Sequence, residues 1–340
     1  LYLHCDWRAS AVLRLVCDDL FGPSHFMNHC VWTYKTGGTP NEEGFSRKHD
    51  DILVYAKGPR PYFDVPKQKS FVPTLPEPHT PSGAGLGVLR EDGCSLCGTP
   101  GPGQKFRWVR MRDVWDDIPT VFRNDPAWEG YPTQKPVMLT ERIFAASSRP
   151  GDWVADFFAG SGASAVAAAR LGRRWVGCEV GLPGLHTIRK RLVRENIPFA
   201  IHAVGDVSAG VAECRLTAMK ASIKADPMET TGTWRITLAS SRPSYRGVPA
   251  ICEQLRAETP LDLVDYWAID PEWEDGKPFR HVVSAIRSRR GDKALETELT
   301  VAAQGGIDSI GIFIADRMGH CHILRAALTD RKRRNPRCRT

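Results

Sequence analysis

The pattern of apolar and polar positions divides the chain into two α/β stretches and a β-rich end. Over residues 1–57 the pattern predicts strand, helix, strand and strand, with the helix at 9–21 ended by Gly22-Pro23. Over residues 131–205 helices and strands alternate again, which predicts a strand–helix–strand unit of the parallel type. The sequence therefore predicts an α/β fold.

The other regions are less regular. Residues 58–104 hold nine prolines and eight glycines, so we expect little regular structure there. Residues 206–260 show only a weak pattern, whereas 261–328 contain short strand-like runs separated by Gly and polar turns, which predict a small antiparallel β module.

These patterns give an expected domain organisation. It consists of a domain at 1–205 with an insert at about 58–130, a connecting region at 206–260, a small β module at 261–330 and a basic tail at 331–340.

Composition narrows the class of protein. The 340 residues are 42% hydrophobic and 25% charged, with a mean hydropathy of −0.31, which is typical of a soluble globular protein. No apolar run approaches about 18 residues, so we expect no membrane span. Most of the ten cysteines lie in apolar strings and no signal peptide opens the chain, which favours a reducing, cytoplasmic location.

The net charge of +7 is concentrated at the C-terminus. Residues 331–339 contain six basic residues and no acid, and without them 40 basic residues face 39 acidic ones. Such a tail can bind a polyanion or can be a solvated chain end, and the sequence leaves both open.

The segment Asp156–Ala163 closes a predicted strand and opens an alanine-rich helix. Gly160 and Gly162 let backbone N–H groups approach a ligand at the helix N-terminus. Glu179 stands seventeen residues after Gly162, at the end of the next strand, where a carboxylate accepts hydrogen bonds from ribose hydroxyls. The pattern favours a ribose-containing cofactor over a simple tight turn with a surface acid.

Two such cofactors compete. The segment from Gly160 to Ala165 fits the relaxed dinucleotide pattern G-x-G-x-x-G/A, which would indicate NAD. Asp156, however, lies four residues before Gly160, where a carboxylate would repel a pyrophosphate and suit the ammonium and sulfonium of S-adenosylmethionine. The electrostatics favour the methyl donor.

Several segments together resemble the amino-group DNA methyltransferases of the permuted beta class. Asp156-Phe-Phe-Ala-Gly-Ser-Gly162 is similar to their D-P-F-x-G-S-G motif, with Phe157 in place of proline. Other similar segments, in the same order as in that class, are Arg47–Tyr55, Trp115–Pro119, Tyr131–Pro136 and Arg149–Asp152. The resemblance covers about residues 1–205 and implies a Rossmann-like, S-adenosylmethionine-dependent methyltransferase sheet.

The resemblance also implies the function and the cofactor site. It implies methyl transfer to adenine N6 or cytosine N4 in double-stranded DNA, in host marking or restriction–modification, with a restriction subunit as a possible partner. The residues that it places at S-adenosylmethionine are Gln134, Lys135, Pro136, Asp156, Phe158, Ala159, Gly160, Ser161, Gly162 and Glu179.

The catalytic signature of that class, Asp, Asn or Ser followed by Pro-Pro and an aromatic, does not occur in this sequence. We expect it upstream of Leu1, where an apolar alternation begins at once, as if the chain were a fragment lacking its N-terminus and inactive alone. Asp125–Trp128 and Asp270–Trp273 look superficially similar, and we interpret both as solvent-exposed turns.

Two further clusters carry possible chemistry. The stretch 105–112 has four basic and two aromatic residues, which predicts DNA contacts by Lys105, Arg107, Arg110 and Arg112, although a strand with solvated arginines is the alternative. Cys94 and Cys97 have zinc-knuckle spacing without a second pair, so we expect no metal.

Two other functions stay open at this point. The chain would be an NAD-dependent oxidoreductase if the glycine turn held a dinucleotide. It would be a non-catalytic DNA-binding protein if only the methyltransferase fold were retained. The target base and the recognition sequence are not determined by these patterns.

Overall fold

The computed structural model describes residues 1–34, 44–71, 89–90, 93–94, 106–202, 204, 215–230, 232–246, 259–287, 294–303 and 307–328. The chain forms two compact units. The first unit comprises 1–120 and 138–152, and the second comprises 121–137 and 153–340.

The first unit is built on a four-stranded sheet. Its elements are β1 (Tyr2–Cys5), α1 (Ser10–Phe21), a 3₁₀ turn (Pro23–His25), β2 (Phe26–Thr33), β3 (His49–Tyr55) and β8 (Val114–Trp115), and the strand order is β1-β3-β2-β8. The apolar positions on one face of the sheet form a core in which Trp32, Ile52, Val54 and Trp115 are buried. The Trp32 indole N–H donates a hydrogen bond to the Ile118 carbonyl (2.8 Å), which satisfies the one polar group of that side chain.

The helix predicted over 9–21 is confirmed, and Gly22 ends it with a φ of 88°. Leu13, Cys17 and Phe21 pack against the sheet beside Leu53 and Tyr55. Helix α2 (Val137–Ser147) continues the core of the first unit through Leu139 and Ile143.

The proline-rich insert contributes two small antiparallel pairs. Strand β4 (Lys67–Phe71) pairs with β7 (Phe106–Arg110), and β5 (Leu89–Arg90) pairs with β6 (Gly93–Cys94). The basic segment therefore contains a strand.

The second unit contains the predicted parallel unit. Strands β9 (Trp153–Asp156) and β10 (Arg174–Gly177) pair in parallel and are connected by α3 (Ala163–Arg170), and α4 (Leu182–Arg194) follows. Six of the eight residues of α3 are buried, because their small side chains let the helix pack closely. Its packing partners include Leu192 and Ile197.

The rest of the second unit is a β module in which two sheets share one core. The strands are β11 (Arg215–Pro227), β12 (Thr233–Arg246), β13 (Val264–Asp270), β14 (Val283–Ile286), β15 (Glu298–Ala302), β16 (Ser309–Asp316) and β17 (Cys321–Ala327). One sheet has the order β11-β12-β15 and the other β14-β13-β16-β17. A 3₁₀ turn (Pro260–Leu263) precedes β13.

The weak pattern over 206–260 concealed two of the longest strands. β11 and β12 form an antiparallel hairpin that pairs with β15. Their inward positions include Ala221 and Ala225, and their outward positions include Ser222 and Ser240. Ile223, Ile236 and Leu238 also face the core, and the neighbouring Lys224 and Arg235 are exposed. The strand alternation is therefore present in the sequence, and the small residues only weaken it.

Candidate functional site

The glycine turn lies between the end of β9 and the start of α3. Gly160 and Gly162 have φ values of 52° and 76°, in the left-handed region that favours glycine. A Cβ on Gly162 would lie 3.0 Å from Ile188 Cγ1, and one on Gly160 would lie 3.2 Å from the Tyr131 ring. Both glycines therefore permit a backbone path and a close approach that other residues would strain.

Glu179 lies directly against this turn. Its Oε2 accepts a hydrogen bond from the Gly160 N–H (2.8 Å), and its Oε1 accepts one from the Gly181 N–H (2.8 Å). A Cβ on Gly184 would lie 2.7 Å from Glu179 Cδ, so that glycine also makes room for the carboxylate. Each carboxylate oxygen has a second lone pair, so it can also accept a hydrogen bond from a hydroxyl group.

Asp156 provides a second carboxylate at the same end of the parallel pair. Its Oδ1 accepts a hydrogen bond from the Phe158 N–H (3.0 Å), and its carbonyl accepts the Cys178 N–H (2.8 Å). The Ala159 N–H in turn donates to the Cys178 carbonyl (2.9 Å). The backbone thus fixes both carboxylates at the turn, and two negative charges there favour a cation and disfavour a pyrophosphate.

Two apolar side chains beside these acids point into solvent. Phe158 is 90% exposed and Val180 is 97% exposed, each just beyond the end of its strand. They offer apolar surface to a flat ring. Phe158 is one of the predicted site residues, whereas the sequence prediction did not include Val180, which directly follows Glu179.

The Tyr131–Pro136 segment lies beside the glycine turn. The Gln134 side chain is buried, and its amide holds the preceding loop: Oε1 accepts the Glu129 N–H (2.6 Å) and Nε2 donates to the Ala127 carbonyl (2.7 Å). The Tyr131 ring lies against the turn, 3.2 Å from where a Cβ on Gly160 would be. Lys135 is half-buried and Pro136 is buried, and a cofactor role for the Gln134–Pro136 segment stays a prediction.

The predicted DNA-binding residues belong to the first unit. Arg110 and Arg112 are exposed, and Trp108, two positions before Arg110 in β7, is 60% exposed. Lys105 and the side chain of Arg107 lie outside the described residues. The structure thus shows an exposed basic and aromatic strand, and its contact with DNA stays a prediction.

Both segments that superficially resemble a catalytic loop are turns. The Asp125 carboxylate accepts the Ala127 N–H (2.7 Å), and the Trp128 N–H donates to the Asp125 carbonyl (3.0 Å). The expectation of solvent exposure is wrong for Asp270, which is only 4% exposed. It ends the fully buried strand β13, and the backbone N–H groups of Glu272 (3.0 Å) and Arg280 (2.6 Å) compensate its burial.

Among the residues that the structure describes, no group of three or more His, Cys, Asp or Glu side chains could hold a metal ion. Cys97 and the side chain of Cys94 lie outside the described part of the chain. Within that same part, no helix has the length and apolar character needed to cross a membrane.

Comparison with known proteins assigns the family. The sequence profile of the DNA methylase family of N6- and N4-methyltransferases matches residues 1–186, which is more than half of the chain. The chain belongs to this family. The predicted class, an α/β methyltransferase fold with a Rossmann-like parallel unit, is confirmed.

Individual relatives match parts of the chain. The type II methyltransferase M2.DpnII of Streptococcus pneumoniae is 46% identical over 88 residues, which cover 26% of this chain and 32% of the relative. The DNA adenine methyltransferase YhdJ of Escherichia coli K12 is 30% identical over 182 residues, 53% of this chain and 55% of the relative. The chain thus spans about half or less of the length of the curated relatives that it matches.

A solved structure of a DNA modification methylase from Thermus thermophilus, in complex with S-adenosyl-L-methionine, also matches. It is 21% identical, with a TM-score of 0.35, over 59% of this chain and 74% of that chain.

Proposed function

We propose that this chain carries the cofactor-binding part of a site-specific DNA methyltransferase that uses S-adenosylmethionine to methylate an exocyclic amine, adenine N6 or cytosine N4. The observation that carries the proposal is the glycine turn with Glu179 bonded to its Gly160 N–H, in a chain of the DNA methylase family. The names of the relatives, type II methyltransferases among them, support restriction–modification as the setting. A restriction subunit as a partner stays a proposal.

The residues at the turn fit this cofactor. S-Adenosylmethionine supplies a methyl group on a cationic sulfonium. Glu179 accepts hydrogen bonds from the ribose hydroxyls, since its carboxylate is already held in place by two backbone N–H groups. The Asp156 carboxylate adds negative charge on the side of the turn that a cationic ligand would occupy. Phe158 and Val180 provide apolar contact for the adenine ring.

The remaining site residues complete the proposed turn. Ala159 and Ser161 are buried and Gly160 and Gly162 are tightly packed, so they serve through their backbone and their small size. Gln134, Lys135 and Pro136 support the turn from the adjoining segment. Arg110 and Arg112, with Lys105 and Arg107, are proposed to neutralise DNA phosphates.

The cofactor proposal is tested by titration calorimetry of the chain with S-adenosylhomocysteine and, separately, with NAD. We expect heat of binding with the first ligand only. Glu179→Ala removes a charged acceptor of hydrogen bonds and should weaken binding by about 2–3 kcal/mol.

The matched control is Glu195→Ala. Glu195 is also a glutamate of the second unit, but it pairs with Arg170 (2.8 Å) at the surface. Its removal should leave the affinity unchanged. Tight binding of NAD without any response to S-adenosylhomocysteine would show that the chain is a dinucleotide-binding protein instead.

A further inference from the structure

Helix α4 carries a buried arginine whose charge the proposed cofactor contacts do not use. The Arg191 side chain is 5% exposed. Its Nη1 donates a hydrogen bond to the Ser161 carbonyl (3.2 Å), inside the glycine turn. Its Nε lies 3.9 Å from Glu129 Oε1, and among the described residues this Nε has no hydrogen-bond acceptor.

Burying this cation is unfavourable. Loss of solvation lowers the pKa of Arg191 to about 10, against the opposing effect of Glu195, and the neighbouring Arg170 and Arg194 lower it further. The guanidinium therefore remains charged at neutral pH. An apolar side chain would fill the same space without the cost of burying a charge. We therefore expect the role of Arg191 to lie in the groups that its N–H donors face.

The two groups next to Arg191 belong to the two segments that build the proposed site. Ser161 lies between Gly160 and Gly162, which both have left-handed backbone. The Glu129 side chain is 7% exposed, and its carboxylate accepts hydrogen bonds from Arg194 Nη1 (2.9 and 3.1 Å), with Arg191 as a more distant second cation. The Glu129 N–H donates to the Gln134 amide oxygen (2.6 Å). One guanidinium thus lies between the glycine turn and the segment that leads to Gln134.

We propose that Arg191 is a positioning residue that fixes the Gly160–Gly162 turn relative to the Glu129–Gln134 segment, in the arrangement that binds the cofactor. The inference rests on the proposed function of this turn. Arg191 acts through the Ser161 carbonyl and the Glu129 carboxylate and does not itself contact the ligand.

The chemistry requires arginine. The planar guanidinium presents several N–H donors in fixed directions, so one side chain can face a carbonyl and a carboxylate at once. A lysine ammonium keeps the charge but is a single point at the end of a flexible chain. Arg191→Lys therefore separates the geometric role from the charge.

The test measures Arg191→Lys in three ways: affinity for S-adenosylhomocysteine by calorimetry, hydrogen exchange of the amides of residues 160–164, and the midpoint of thermal unfolding. We expect at least a tenfold loss of affinity and at least tenfold faster exchange in the turn, with a midpoint within a few degrees of the wild type.

The control is Arg170→Lys. Arg170 also connects α3 and α4 by an ion pair, to Glu195 (2.8 Å), but it is half exposed and lies at the opposite end of α3 from the turn. Its substitution should leave affinity and exchange in the turn within twofold of the wild type.

The outcomes distinguish the two proposals. If the wild-type chain does not bind S-adenosylhomocysteine, the cofactor proposal fails, while the exchange of the turn amides still reports on Arg191. If the wild type binds and Arg191→Lys matches it within twofold in both affinity and exchange, the positioning role is overturned. An Arg191→Lys chain that does not fold would also overturn it, because Arg191 would then be required for the whole unit.

Discussion

In the second unit, the β module and the parallel pair of β9 and β10 are stabilised by different interactions. Every residue of β13 is buried, beside a core that both sheets of the β module share. In the parallel pair, Trp153 of β9 is 60% exposed and Val176 of β10 is 47% exposed. The β module is therefore held by burial of apolar surface, whereas the glycine turn is held mainly by backbone hydrogen bonds and by the fit of α3 against α4.

Helix α4 contacts both regions through charged side chains. His186 and Lys190 each lie 2.6 Å from the buried carboxylate of Asp265 at the start of β13, and Arg189 donates to the Gly319 carbonyl (3.1 Å). Arg191 donates instead to the glycine turn. The β module and the glycine turn are thus held by separate residues, and one helix contacts both.

The largest effect should come from the core of the β module. Trp267 is fully buried, and its indole N–H donates to the Glu296 carbonyl (2.8 Å). Trp267→Ala should lower the free energy of unfolding by about 3–5 kcal/mol, because it leaves a large cavity and an unpaired carbonyl. Trp153→Ala in β9 should cost less than about 1 kcal/mol, since that side chain is mostly in solvent. Chemical denaturation measures the loss of unfolding free energy in both variants, and equal losses would contradict the difference between the β module and the parallel pair.

The next effect concerns the contact between α4 and β13. Asp265→Asn leaves Lys190 and His186 beside a neutral amide in a buried setting, and we expect a loss of about 3 kcal/mol at neutral pH. Burial alone would raise the pKa of Asp265, but the His186 hydrogen bond and the Lys190 ammonium outweigh it, and the net pKa is lowered.

The pH dependence of that loss follows from the sign of the pKa shift. The carboxylate contributes stability above its unfolded pKa of about 3.9, and this contribution disappears as pH falls through the lower folded value. The difference between wild type and Asp265→Asn should therefore be full at pH 5 and should shrink below about pH 4. A difference that stayed constant down to pH 3 in denaturation experiments would contradict this assignment.

The glycine turn was readable from the sequence because its chemistry is local. Gly160, Gly162 and Glu179 lie within twenty residues, and the strand–turn–helix–strand order brings Glu179 to the turn without any distant partner. The first helix was readable for the same reason, since its periodicity and Gly22-Pro23 are both local signals.

What the sequence did not reveal depends on distant pairing or on weak patterns. The hairpin of β11 and β12 alternates core residues such as Ile223 with exposed ones such as Lys224, but the small residues beside them weaken the pattern. Asp270 was expected in solvent because its local sequence resembles a turn, but the core around β13 buries it. Arg191 looked like one of several basic residues on α4, because its neighbour Glu129 lies more than sixty positions away.

A substitution in the glycine turn should lower the free energy of unfolding less than Trp267→Ala or Asp265→Asn does, but it should also weaken cofactor binding. Gly162→Ala places a side chain at φ 76° and brings its Cβ within 3.0 Å of Ile188, so we expect a loss of about 2 kcal/mol in unfolding free energy. Gly172→Ala is the matched control: its φ is 68°, and among the described residues nothing lies within 4 Å of the added Cβ, so only the backbone strain of about 1 kcal/mol remains. Since Gly162 begins α3 at the proposed site, its variant should also lose at least tenfold in affinity for S-adenosylhomocysteine, whereas Gly172→Ala should bind as the wild type does. If the two variants bound equally well, the turn would be only a structural connection, and the separation between the stabilising module and the binding turn would not hold.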